Sequence, residues 1–420
     1  MAEEPNCLGL EFLELEIEGC NRNERVFPLF LKKECTMDYD AAVNYLKNSM
    51  IYQMSLGSKE LFHSNVWAWL IENDKNFIKV FIPSFEIANY KDGENIWARR
   101  EDKNRDILIW LEDNNGEKQH IVIENKIKAL PTVHQLEKYT VNLGDSSFLH
   151  GVLTGIGPCI LDLEKPDGFD FKKLSGKWSY VNYEEIANKI LEIATQSTSG
   201  IIKNHFDQIE EYCQILKCIN LILDANINKH KNCLTYDCDY ESLDALRIAD
   251  IFKKHKGSQF INYVKDRKNE LEELKPEGYW LIIGQSFHNG KTTLDIRFSN
   301  WTNDDTPYNL LGVQIEGDQF RIAAEKNIYV EKITADNVYE SFKNEWFDDS
   351  YDKDKNKTIF GNQTTMKPRK GKKYDAYITD RYCFIYQYYD VSKAGNDYES
   401  LFDSIKFYIS KASTLLKNMQ

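Results

Sequence analysis

The chain has no long hydrophobic run. Stretches such as FLELEI and YWLIIG are interrupted by polar or charged residues well short of the roughly 18 apolar residues that cross a bilayer. It also has no basic leader followed by an apolar block: MAEEPNCLGLEF opens with acids, unlike a secretory signal. A cytoplasmic location is therefore the expectation. Cysteine is sparse and odd in number, nine in 420 residues, which excludes a dense disulfide scaffold and leaves the thiols reduced. The spacings Cys213/Cys218 and Cys233/Cys238 match zinc-ligand spacing only loosely. An excess of basic charge is missing too. A net charge of −13 excludes nucleic-acid binding through overall basicity.

Local contact stays open, because KPRKGKK concentrates Lys367, Arg369, Lys370, Lys372 and Lys373 in one short run after an acidic stretch. These are candidate nucleic-acid contacts, although a solvated loop would look the same. Hydrophobic residues at 42%, with 13% aromatic and 28% charged, describe a folded globular protein. Its length implies two or three domains.

The chain divides into three parts. Residues 1–198 hold an N-terminal arm, a helix near YDAAVNYLKNSM, and a second helix for which Ser58 is a suitable N-cap and in which Leu61, Phe62, Val66, Trp69 and Leu70 recur at helical spacing. Strands are expected near FIPSFEI, IWARRE, RDILIWLE and QHIVIENKI. A helix then opens at Pro131, a favoured first-turn residue, and the strands SFLHGVLT and WSYVNY and the helix EEIANKILEIATQ follow. Residues 199–273 read as a helical connector. Residues 274–420 read as an α+β domain with a strand meander, one later strand at YCFIYQYYD and two helices. GQSFHNGKT resembles a phosphate-binding loop, but its glycines are one residue too far apart and a strand follows it. Asn289-Gly290 between alternating runs marks a hairpin instead.

The chemistry concentrates in RDILIWLEDNNGEKQHIVIENKI, Arg105 to Ile127. A three-residue loop, Asn114-Asn115-Gly116, would make Asp113 face Glu117 and bring Asp106 opposite Glu124. A two-residue loop at Asn115-Gly116 would turn the two acids to opposite faces. Opposed residues on one face have Cβ atoms about 4.5 to 5.5 Å apart, so two carboxylates there repel and are poorly solvated. A divalent cation between them removes both problems, and hard oxygen ligands in small number suit Mg²⁺ or Mn²⁺. Lys126 shares the face of Glu124 and would hold a phosphate oxygen or an attacking water.

These blocks together, KELFHSNVWAWLI, RDILIWL, IVIENKI and HQLEKY in that order, resemble the PD-(D/E)XK nuclease superfamily, in its bacterial branch. The resemblance covers about residues 58–190. It implies an α/β fold with a restriction-endonuclease-like αβββαβ core and a mixed sheet, ahead of the helical segment and the C-terminal α+β domain. It also implies catalytic roles for Asp106, Glu124, Lys126, Gln135 and Glu60. Metal would be held by Asp106, Glu124, the Asn125 carbonyl and Glu60, the last through a second metal or a bound water. Tyr139, one turn beyond Gln135, would line the site or simply pack. His63 reads as a packing residue. Arg105 stands where the family name has proline, and Pro166-Asp167 is a coincidental match.

The implied activity is Mg-dependent hydrolysis of phosphodiester bonds, with DNA favoured over RNA and a role in bacterial defence against foreign DNA. The C-terminal domain would serve recognition, homo-oligomerisation or contact with partner proteins. The alternatives are an RNase on the same fold and a non-catalytic binding or assembly protein on a nuclease-like core.

Overall fold

The computed structural model describes residues 37–55, 60–90, 96–127, 129–131, 133–157, 177–229, 234, 240–288, 291–300, 309–327, 334–343, 345–347, 374–378, 382–391 and 397–419. Helices α1 (Tyr39–Asn48), α2 (Met50–Ser55) and α3 (Glu60–Asn73) come first, then strands β1 (Ile96–Asp102), β2 (Arg105–Glu112) and β3 (Lys118–Asn125). Helix α4 (Val133–Tyr139), strands β4 (Ser147–Gly155) and β5 (Trp178–Asn182) and helix α5 (Tyr183–Gln196) complete this part. The five strands form one mixed sheet in sequence order. β1, β2 and β3 are antiparallel, whereas β3, β4 and β5 run parallel. This α/β arrangement has the mixed sheet expected of a restriction-endonuclease-like fold.

The strand expected at FIPSFEI does not form. That segment lies between two 3-10 turns, Lys75–Val80 and Ile87–Asn89. Asp74 caps the first through a 2.9 Å bond from the Asn76 N–H, and Pro83 has no N–H for a ladder. Phe81 and Phe85 of this segment are buried all the same, so apolar content alone does not make it a strand.

The period-two alternation of β2 and β3 assigns their two faces. Even-numbered Leu108 and Val122 pack with Leu136 and Tyr139 of α4 and with Phe148, Leu153 and Trp178 of β4 and β5. The odd-numbered face meets α3, to which the Asn125 side chain bonds. Between β2 and β3 the Asp113 N–H donates to the Glu117 carbonyl at 3.0 Å, and Gly116 takes the left-handed φ of 84° that this loop requires. Pairing runs from Glu112 opposite Lys118 to Ile107 opposite Ile123, the three-residue-loop register. The β1–β2 turn is tighter: Lys103 and Asn104 both have positive φ, 53° and 64°, as a two-residue type I′ turn demands.

Helices α6 (Gly200–Asn204), α7 (Phe206–Lys229), α8 (Tyr240–Ala245), α9 (Ala249–Asp266) and α10 (Lys268–Glu272) follow. Cys213 and Cys218 are buried thiols inside α7, while Cys233 and Cys238 lie outside the described residues. Beyond them stand β6 (Trp280–His288), β7 (Lys291–Ser299), β8 (Asn309–Glu316), β9 (Gln319–Asn327), α11 (Ala335–Phe342), β10 (Asp375–Ile378), β11 (Tyr382–Asp390) and α12 (Tyr398–Asn418). Their strands make a second, antiparallel sheet in the order β10-β11-β9-β8-β7-β6. Leu401, Phe402, Ile405 and Ile409 of α12 share its core with Ile296, Phe298, Leu311 and Val313. His288 pairs with Lys291, so the phosphate-loop lookalike spans a β-hairpin. Strand β10 has no counterpart among the sequence expectations, since its four residues are too short for a periodic signal. No helix among the described residues is long and apolar enough to cross a membrane.

Candidate active site

The register of β2 and β3, extended by one residue beyond the Ile107–Ile123 pair, sets Asp106 across from Glu124. A hydrogen bond fixes this end of the ladder: the Asn125 backbone N–H donates to Asp106 Oδ2 at 2.7 Å. Lys126 Nζ lies 2.7 Å from Glu124 Oε1. The same oxygen accepts from Gln135 Nε2 of α4 at 2.9 Å. Gln135 also donates to Tyr139 Oη at 3.1 Å, and the Tyr139 hydroxyl donates to the Asn104 carbonyl in the β1–β2 turn. One chain of contacts thus joins β1–β2, β3 and α4.

Glu60 meets this group from the other side. Its Oε1 accepts from the backbone N–H of Ile127 at 2.9 Å and of Ala129 at 3.5 Å, which holds the loop after β3 against the first turn of α3. The Asn125 side chain pins the same junction: it donates to the Glu60 carbonyl at 2.9 Å and to Ser64 Oγ at 3.3 Å. Its Oδ1 accepts from Tyr183 Oη at 2.6 Å and from Thr154 Oγ1 at 3.2 Å. At Gly155 a Cβ would sit 2.9 Å from the Lys126 carbonyl. Only glycine lets β4 approach Lys126 this closely.

Burial dominates the electrostatics. It holds the Asp106 carboxyl above the usual carboxylate range against the opposing pull of Lys126 and the Asn125 N–H, with Glu60 and Glu101 adding to the rise. Glu124 is pushed up to about 7 for the same reason, with Lys126 opposing and Asp106 reinforcing. For Lys126 burial works downward, but the carboxylates of Glu124, Asp106 and Glu60 outweigh it and keep the ammonium charged. Carboxyls raised by burial beside a specific charge partner mark a candidate functional site.

Glu124 also supplies a test of metal fit. Oε1 is engaged by Lys126 and Gln135, whereas Oε2 is buried and has no hydrogen-bond partner. Such an oxygen is costly. A hard cation shared with Asp106 would satisfy it, so the donors present suit Mg²⁺ or Mn²⁺. Among the described residues no group of three or more His, Cys, Asp or Glu side chains is gathered to hold a metal unaided. A cation held here would need backbone oxygen or water beside the two carboxylates.

Some participants carry no sequence signal. Glu101 falls between the pairs Arg100–Ile107 and Asp102–Arg105, across from Asp106, at a left-handed φ of 51° that gives a non-glycine residue local strain. Arg105, in the place of the family's proline, stacks its guanidinium 4.8 Å from the Tyr139 ring. Exposed Trp97 stacks on Trp110 at 6.3 Å, and its pairing with Trp110 puts it on the same sheet face as Asp106. Arg99 shares that face one pleat nearer the acids. His63 is buried and bonds through Nδ1 to Tyr212 Oη at 3.0 Å, a packing role. Lys367, Arg369, Lys370, Lys372 and Lys373 lie outside the described residues.

No curated protein and no solved structure matches the chain. A family model does match residues 50–214, which include α3, β1 to β5, α4 and every residue of the acid cluster. By that match, residues 50–214 are similar to the PD-(D/E)XK nuclease superfamily.

Proposed function

We propose that this protein is a metal-dependent nuclease that hydrolyses phosphodiester bonds, with DNA as the favoured substrate and Mg²⁺ or Mn²⁺ as cofactor. The superfamily match supports nuclease chemistry. The observation that carries the finer reading is the orphaned Glu124 Oε2 beside Asp106, with Lys126 already seated on the other oxygen.

Asp106 and Glu124 would hold the cation, with the Asn125 carbonyl and Glu60 as further oxygen donors. When bound, it supplies Lewis acidity that makes an attacking water more acidic and offsets charge on the phosphate. Lys126 then has two tasks: it balances Glu124 before substrate arrives, and it donates to a non-bridging phosphate oxygen as charge develops there. Gln135 orients Glu124 and the water, and Tyr139 fixes Gln135. Glu60 acts chiefly through the loop it holds. Trp97 and Arg99, on the face of Asp106, offer a stacking surface and a cation to the strand that enters the site.

The basic run with Lys367, Arg369, Lys370, Lys372 and Lys373 is the proposed second contact with nucleic acid. It supplies the local positive charge that an acidic chain needs to approach a polyanion. The region 274–420 is the proposed recognition or assembly part, and defence against foreign DNA is the proposed setting. Incubation with supercoiled plasmid, linear duplex, single-stranded DNA and RNA, each with Mg²⁺ and with EDTA, tests the reading. It expects Mg²⁺-dependent cleavage of DNA. Cleavage of RNA alone would reassign the substrate, and no cleavage of any of the four would favour a non-catalytic protein on a nuclease-like core.

A further inference from the structure

Helix α9 belongs to the chain beyond the matched segment, yet its buried Lys254 reaches into the nuclease core. Lys254 Nζ lies 2.9 Å from the Ile127 carbonyl, 3.1 Å from the Ala129 carbonyl and 3.4 Å from the Lys126 carbonyl. An ammonium has three donors and no acceptor, and here three peptide oxygens of one short loop meet it. The N–H groups of Ile127 and Ala129 in that loop face the Glu60 carboxylate. The segment following Glu124 is therefore clamped between two opposite charges, a carboxylate from α3 on its donors and an ammonium from α9 on its acceptors.

The neighbouring residue repeats the pattern at the next strand. Buried His255 donates to the Ile156 backbone, and its ring fills the space beside Gly157, where a Cβ would sit 2.8 Å from it. α9 thus supports the chain at the C-terminal ends of both β3 and β4, the parallel pair that carries the site. Its other side belongs to the second sheet. Thr292 of β7 donates to the Lys253 carbonyl at 2.9 Å, and Gly257 is packed so closely on Thr292 that a Cβ would overlap it.

We infer that Lys254 is a positioning residue for Lys126, so that the active site is completed by a helix anchored to the C-terminal sheet and not by the matched segment alone. The distances carry this. Lys126 contributes both its carbonyl to Lys254 and its side chain to Glu124, and a shift of the loop moves the ammonium off Glu124 Oε1. Removing the charge that holds the carbonyls frees the loop, and misplacement by about 1 Å near a reacting centre is enough to cost on the order of 100-fold in rate. A helix tied to both sheets also gives the C-terminal region a route to the site.

The test uses the full chain with Lys254→Gln and Lys254→Met. The first readout needs no activity: acetylation of Lys126 by acetic anhydride, followed by mass spectrometry and referenced to exposed Lys118. Release of the loop is expected to raise the Lys126 rate at least fivefold in Lys254→Gln, with thermal unfolding still a single transition. A rate within twofold of wild type overturns the inference. If Lys254→Gln does not fold, Lys254→Met, which removes the charge but keeps a long unbranched stem, is judged by the same limits. The second readout rests on the nuclease reading: kcat is expected to fall at least tenfold with KM within threefold, and an unchanged kcat overturns the inference. If wild type cleaves nothing, the nuclease reading fails while the acetylation result still decides on Lys254.

Discussion

The Asn125 backbone N–H donates to Asp106 Oδ2 across 2.7 Å, which makes one residue both the end of the β2–β3 ladder and the orienting partner of the first acid. Its side chain faces the other way, into four groups of α3, β4 and α5. Replacement by leucine would leave the Tyr183 hydroxyl, the Thr154 hydroxyl and the Glu60 carbonyl without this partner. Each buried group left unsatisfied costs about 1–3 kcal/mol, so urea denaturation of Asn125→Leu should show a loss of about 3 kcal/mol or more. A loss under about 1 kcal/mol would mean that the network adds little to stability.

Gln135 has a narrower task. Its amide holds Glu124 Oε1 at 2.9 Å without belonging to a strand, so Gln135→Ala should leave the unfolding midpoint nearly unchanged. One preorganised donor is worth on the order of 100-fold in rate, so initial rates of DNA cleavage should fall by roughly ten- to a hundredfold. A variant as fast as wild type would remove Gln135 from the catalytic group.

The turn that sets the register should be equally sensitive. Gly116 has a φ of 84°, and a β-branched residue there is strained by about 1–2 kcal/mol. Gly116→Val should lower the thermal midpoint by several degrees and also reduce cleavage, because a one-residue slip turns Asp106 away from Glu124. If stability falls while cleavage does not, the register does not depend on this glycine.

Much of this geometry was legible in the sequence because a hairpin is local. Asn114-Asn115-Gly116 gives the loop, the loop gives the register, and the register sets Asp106 opposite Glu124. The even-numbered faces of β2 and β3 and the Gln135–Tyr139 spacing of α4 follow from period two and period 3.6 in the same way. The signal fails where contacts span long separations. Lys254 lies about 130 residues from the loop it holds, and nothing in KKHKG sets it apart from a solvated lysine. The strained φ of Glu101 and the partners of Asn125 are likewise products of tertiary packing. At FIPSFEI the apolar content reads as a strand, but such content does not distinguish a strand from a segment between two 3-10 turns.

His255 sets an expectation for pH. Burial, with Lys254 nearby, pushes its imidazole down to about 3 from 6.5, so the folded state resists protonation that the unfolded chain accepts. The stability it contributes is present above about pH 6.5 and is lost progressively as pH falls toward 3. Between pH 7 and pH 5.5 wild type should lose about 1 kcal/mol relative to His255→Gln, in which this titration is absent. Urea denaturation of both proteins at the two pH values measures the difference. Parallel pH dependence would mean that the imidazole protonates in the folded state.

The most direct measurement is plasmid cleavage by wild type, Asp106→Ala and Lys126→Ala under the same Mg²⁺ concentration, with folding of each checked by circular dichroism. In the proposed function the acid pair and its ammonium act as one unit, so wild type should cleave in Mg²⁺ and not in EDTA. Both variants should retain the fold and fall by at least about 1000-fold, as expected when members of a catalytic unit are removed. Folded variants that cleave as fast as wild type would contradict the assignment of this site.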